Sequence, residues 1–134
     1  MAPEALSRLV EGLRRRLRPG EAGETLACRH LERLGFVILQ RNFRCRSGEV
    51  DIVAREGETT VFVEVKERLT GTHGEGFEGV TFGKRRRIVR AARLYAAARG
   101  LSDRPLRFDV VSIDWSAGRP RVRHDPGAFD VDGR

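Results

Sequence analysis

Lysine is almost missing from this chain. Of its 26 Lys plus Arg residues only Lys66 and Lys84 are lysines, so wherever a bare positive charge would serve, arginine is used. Cysteine is as sparse. Cys28 and Cys45 are the only two, and they fit no CxxC or Cys/His zinc spacing. That excludes a zinc ribbon and a disulfide scaffold, and it reads as a reduced, cytoplasmic protein. Long apolar runs are absent too. No segment approaches the roughly 18 apolar residues of a membrane span. The opening MAPEALSRLVEGLRRRL has neither the apolar block nor the small-residue cleavage site of a secretory signal. No internal repeat and no interdomain linker break the chain.

What is present is charge and a core. The 134 residues suit one domain, 40 % hydrophobic and 34 % charged. A chain of this length buries a core without metal or disulfide staples. The formal net charge is +7 and the pI about 10.8. Such a balance suits a polyanionic partner, most simply nucleic acid; a basic but merely soluble surface is the alternative.

Residues 3–17 place Leu6, Leu9, Val10, Leu13 and Leu17 at helical spacing, and Pro19-Gly20 ends that helix. A second helix is expected over 21–34, with Gly35 at its C-terminal cap. FVILQRNFR (36–44), EVDIVA (49–54) and the stretch 60–67 read as three strands. GTHGEGFEG (71–79) reads as a flexible glycine-rich loop. The Ala- and Arg-rich segment 84–99 reads as a third helix. RFDVVSI (107–113) is a fourth strand and RVRH (121–124) a short fifth. This order predicts an α/β domain, a mixed sheet of four to five strands flanked by helices. The expected organisation is a helical extension over 1–19, the domain proper over 20–129, and a loose tail over 130–134.

Alternation along a strand sorts the charges. Val61, Val63 and Val65 share one face, and Phe62, Glu64 and Lys66 the other. In the preceding strand Val50, Ile52 and Ala54 are expected on one face, and Glu49, Asp51 and Val53 on the other. A short hairpin with matched apolar faces pairs Ala54 with Val61, Val53 with Phe62, Ile52 with Val63 and Asp51 with Glu64. Opposed side chains of this kind lie roughly 5 Å apart at Cβ, with Lys66 about 7 Å further along the same face.

Two carboxylates side by side repel, and a divalent cation between them reverses the sign. Mg²⁺ takes oxygen ligands, typically one or two carboxylates with water and substrate phosphate, and there it acts as a Lewis acid. An ammonium beside such a site orients water or stabilises developing charge on phosphorus. Using one of two lysines at position 66 points to a need that arginine does not meet. A solvent-facing Glu64–Lys66 salt bridge is the plain alternative. On the second helix Glu24 shares a face with Ala27, Cys28 and Leu31. A carboxylate on that apolar face needs a partner or a metal, unless it serves only the helix dipole.

Asp51, a short hairpin and Glu64-Val65-Lys66 resemble the PD-(D/E)xK nuclease superfamily. More narrowly, the chain resembles the bacterial YraN family through GEAGETLACRHLERLGFVILQRNFR (20–44), GEVDIVA (48–54), VFVEVKER (61–68), a lysine-led helix with AARLYAAA, RFDVVSI (107–113) and HDPGAF (124–129). The resemblance covers residues 20–129 and implies a restriction-endonuclease-like core. It implies Asp51 and Glu64 as ligands of Mg²⁺ or Mn²⁺, completed by the Val65 carbonyl, and Lys66 as the catalytic lysine. Glu24 would match a helix acid resembling that of Holliday junction resolvases. The motif's proline is absent; Val50 precedes Asp51.

Lys84, Arg85, Arg86 and Arg87 on the third helix, and Arg68 beyond Lys66, are the candidate phosphate contacts; a solvated basic face is the alternative for the helix. Asp109 interrupts an apolar strand and is expected to pair with Arg107 or a basic helix. The function that follows is a metal-dependent phosphodiesterase, endonuclease-like, on DNA, with branched or damaged DNA among the candidate substrates. The alternative is a non-catalytic nucleic-acid-binding domain keeping the nuclease fold. A third reading is an interaction module in which 1–19 forms a homodimer. No membrane partner is expected.

Overall fold

The computed structural model describes residues 20–68 and 79–134. Helix α1 spans Glu21–Arg33. Strands β1 (Val37–Cys45), β2 (Gly48–Glu56) and β3 (Thr59–Arg68) follow, then helix α2 (Phe82–Ala98) and strands β4 (Leu106–Asp114) and β5 (Arg121–Phe129). The strands form one sheet in the order β1-β2-β3-β4-β5. Neighbours are antiparallel except β3 and β4, which are parallel. A parallel pair requires a crossover, and α2 lies in it. This is the expected α/β architecture: a mixed five-strand sheet with two helices, consistent with a restriction-endonuclease-like core. The helix expected before Pro19 and nearly all of the loop expected at 71–79 lie outside the described residues.

The sheet buries two apolar faces. On one, Ala27, Cys28 and Leu31 of α1 pack on Ile52, Ala54, Val61, Val63, Val111 and Ile113. On the other, Ile88, Ala91, Ala92 and Tyr95 of α2 pack on Val53, Phe62, Phe108 and Val110. The α1 stripe is the one read from the sequence. A core side chain such as Phe62, fully buried, contributes on the order of 2–3 kcal/mol.

Two glycines decide local geometry. The β2–β3 hairpin closes Glu56 on Thr59, with Gly57 at φ 57° in the first loop position, where tight hairpins take positive φ. That turn sets the register Ile52↔Val63, Val53↔Phe62 and Ala54↔Val61, as the sequence predicts. In α1, a Cβ on Gly23 would fall 2.4 Å from the Glu67 carboxyl, which accepts a 2.8 Å hydrogen bond from the Trp115 indole. Glu67 thus brings a negative charge to the first turn of α1, where the helix dipole favours it.

Two expectations are corrected. Val50 does not share a face with Ile52 and Ala54; it packs with Val53 in the α2-side cluster. The cause is a break at Asp51. The β1–β2 ladder pairs Arg41↔Ile52 and Phe43↔Val50 with no Asn42↔Asp51 pair between them, and Asn42 adopts φ 53°, which Asn tolerates better than most residues. Nor does β5 stop at His124. It runs on to Phe129, through a register shift against β4. Residues 130–134 then close a turn in which Asp130 accepts from the amides of Asp132 and Arg134.

Candidate active site: a carboxylate pair and its lysine

The ladder between β2 and β3 ends at Ile52↔Val63, one step before the acids. Released from it, Asp51 turns its carboxyl towards β3 and accepts a 2.9 Å hydrogen bond from the Val65 amide. There it also comes within hydrogen-bonding reach of Glu64. The two carboxylates are therefore neighbours, by side-chain contact rather than by a ladder pair. Burial, with Glu64 next to it, pushes the Asp51 carboxyl up to about 7, against the opposing pull of the Val65 amide. Like charges this close cannot both ionise freely.

Glu64 is 3 % exposed and meets a cation: Lys84 Nζ lies 2.6 Å from its Oε1. Partial burial works against the charge on Lys84, but Glu64 and Asp51 outweigh it and raise the ammonium above its ordinary range. Lys84 arrives there because Thr81 caps α2, its Oγ1 accepting from the Lys84 amide at 3.2 Å. The first turn of α2 holds no acidic residue. Lys84, Arg85, Arg86 and Arg87 therefore stack positive charge on the positive end of the helix dipole, which is unfavourable unless an anion answers it.

Glu24 approaches from α1. It accepts from Asn42 Nδ2 at 3.0 Å and lies 3.6 Å from Arg41. Burial raises its pKa while Asn42 lowers it, and Asp51 is close enough to add repulsion. Glu24 thus comes near Asp51 from α1, while Lys84 reaches Glu64 from α2.

Lys66 does not join them by any bond. It lines a 250 Å³ cavity with Arg68, Ser112, Asp114, Arg121 and Arg123. Arg68 is already engaged, donating to Asp114 at 2.9 Å. The basic residues of α2 diverge as well. Arg87 lines a 350 Å³ cavity with Arg44, Glu49 and Lys84. The guanidinium carbons of Arg85 and Arg86 lie 5.9 and 5.7 Å from the Phe82 ring centroid. Lys84 is the neighbour of Glu64 that strand periodicity could not find. The scarcity of lysine, used to single out Lys66, applies to it equally.

Among the described residues no group of three or more His, Cys, Asp or Glu side chains is placed to hold a metal ion. The pair Asp51 and Glu64 nonetheless offers the hard-oxygen donors a small divalent cation takes, with water filling its other positions. Their mutual repulsion is the term such an ion would relieve.

A model of the uncharacterised protein family UPF0102 matches residues 23–113. The chain belongs to that family, the YraN family, which is PD-(D/E)xK nuclease-like. It is 49 % identical over 112 residues to a UPF0102 protein of Geobacter metallireducens, covering 84 % of this chain and 92 % of the relative. To one of Anaeromyxobacter dehalogenans it is 50 % identical over 115 residues, 86 % of each. To one of Geobacter sulfurreducens it is 49 % identical over 113 residues, 84 % of this chain and 88 % of the relative. Asp51, Glu64, Lys66 and Lys84 all fall inside the matched span. No described helix is long and apolar enough to cross a membrane.

Proposed function

We propose that this UPF0102 member is a divalent-metal-dependent phosphodiesterase acting on nucleic acid, DNA foremost. The observation that carries this reading is the juxtaposition of Asp51 with Glu64 in a basic protein. Two carboxylates held side by side weaken the binding of a polyanion unless a cation stands between them and the phosphate. Asp51 and Glu64 would hold Mg²⁺ or Mn²⁺, and Glu24 stands close enough to Asp51 to add to the negative potential there. When bound, the ion supplies Lewis-acid polarisation of a phosphodiester oxygen and lowers the pKa of water.

The chain's own residues do the rest. The Val65 amide fixes the Asp51 carboxyl. Lys84 holds Glu64 in place and carries positive charge to where charge develops on phosphorus. Lys66 shares a face with Glu64 two residues along and supplies a second ammonium for an incoming phosphate. The basic first turn of α2 draws the anion in.

The second reading, a non-catalytic nucleic-acid-binding domain, is favoured by one observation. Lys84 already answers the charge of Glu64, so the pair can persist without a metal. Cleavage assays with labelled branched, single-stranded and duplex DNA in Mg²⁺ or Mn²⁺ separate the two. The enzymatic reading expects cleavage that falls by roughly 100-fold or more in Asp51→Asn and in Glu64→Gln. Cleavage surviving both substitutions overturns it. Binding without cleavage by the unaltered protein leaves the second reading.

A further inference from the structure

The cavity around Lys66 is absorbed neither by the carboxylate pair nor by α2. It opens where β3 and β4, the only parallel pair in the sheet, reach their C-terminal ends, the side on which open α/β sheets bind ligands. Its volume is 250 Å³, too small for a folded partner and large enough for a phosphate with its ester oxygens.

The charges in its wall are unequal in kind. Arg68 is held by Asp114 at 2.9 Å, and Arg123 by Asp125 at 3.0 Å. The side chains of Lys66 and Arg121 have no ion pair among the described residues. Two braced arginines thus flank two uncompensated cations. A concave site with positive charge in excess draws an anion, and braced guanidinium groups present fixed donors to oxygen. Arg121 and Arg123 come from β5, opposite Asp114 and Ser112 of β4, so the ladder itself carries them to the cavity beside Lys66.

We propose that this cavity is a phosphate subsite for a nucleic-acid strand, with Arg121 as its principal contact and Lys66 standing between it and the carboxylate pair. It takes a backbone phosphate neighbouring the one that meets Asp51 and Glu64. Lys66 lies about 7 Å from Glu64 along the same strand face, so the two positions serve one strand. The proposal rests on the reading of nucleic acid as the ligand.

The test is fluorescence-anisotropy binding of labelled single-stranded and duplex DNA across a salt series. It is done in an Asp51→Asn background, so that binding is read without turnover. Arg121→Gln is expected to flatten the slope of log K against log salt by about 0.7 for single strands or 0.9 for duplex, one phosphate contact. Arg121→Gln/Arg123→Gln is expected to flatten it further. Arg121→Lys keeps the slope. Arg104→Gln, at the β2–β3 hairpin end where Arg104 pairs with Glu58, is the control that leaves it unchanged. An unaltered slope in Arg121→Gln overturns the subsite even if the unaltered protein cleaves DNA. The expected slope change with no cleavage by the unaltered protein upholds the subsite and removes the hydrolytic reading. Absence of DNA binding overturns the subsite.

Discussion

Asp109 and Asp51 are buried acids of one sheet that meet opposite fates. Asp109 on β4 is fully buried, and each of its oxygens is used twice. Oδ1 accepts from Arg107 Nε at 2.8 Å and the Gly127 amide at 3.0 Å; Oδ2 accepts from Arg107 Nη2 at 2.8 Å and His124 Nε2 at 2.7 Å. Four acceptor sites meet four donors, the full capacity of a carboxylate. Burial alone would raise its pKa, yet Arg107, His124 and Gly127 together hold it below the ordinary value. Asp51 has one amide, one like-charged neighbour and a pKa pushed up to about 7. The first acid is satisfied and locks β4 to β5. The second is left in want of a cation, a condition the fold tolerates at a site of chemistry and rarely elsewhere.

The largest effect expected of this contrast is on stability. Asp109→Asn takes the buried charge from the Nε and Nη2 edge of Arg107, which keeps only Glu56 on its Nη1 at 2.7 Å, and should cost about 3 kcal/mol, read as a fall in the urea midpoint at pH 7. A loss under about 1 kcal/mol would remove the contrast.

Next comes a change of opposite sign. Because the folded pKa of Asp51 lies above its unfolded value, the folded state binds more protons between about pH 4 and pH 7. The stability linked to Asp51 is full below pH 4 and is lost as pH rises through 7. Asp51→Asn should therefore stabilise the metal-free protein at pH 8 by on the order of 1–2 kcal/mol, after discount for solvent screening, with little gain at pH 4. Asp109, with its lowered pKa, behaves in the reverse sense: its contribution is present above the ordinary carboxylate range and lost as pH falls through its folded value. Denaturation curves of both Asn variants from pH 4 to 8 should diverge accordingly, and parallel curves would contradict the assignment.

The smallest effect sharpens the site itself. Lys84→Gln removes the cation that is bonded to Glu64 among the described residues and, Lys84 being partly exposed, should destabilise the metal-free protein by about 0.5–1 kcal/mol. Mn²⁺ should then raise the melting temperature of the variant more than that of the unaltered protein, as a ligand that binds only the folded state does. Equal responses would mean that Lys84 and the ion do not compete for the same charge.

The hairpin register was legible because a two-residue turn at Gly57 and two matched apolar faces leave one alignment, and it brought residue 51 near residue 64. The break at Asp51 was not. Periodicity assumes an unbroken pleat, and nothing local in EVDIVA marks the step at which β2 leaves the ladder. Asn42, which makes the opposing kink, stands on another strand. RVRH alone reads as a short strand; the Gly127 amide bonded to Asp109 shows why the chain runs on.

By itself, the amino-acid order determined the elements, the two apolar faces and the meeting of Asp51 with Glu64, because those follow from contacts within a hairpin and from helical and strand periods. Which lysine touches Glu64 was decided only when α2 crossed over the sheet. That contact joins residues 20 positions apart through a crossover and a helix cap, and no local pattern encodes a distance across a fold.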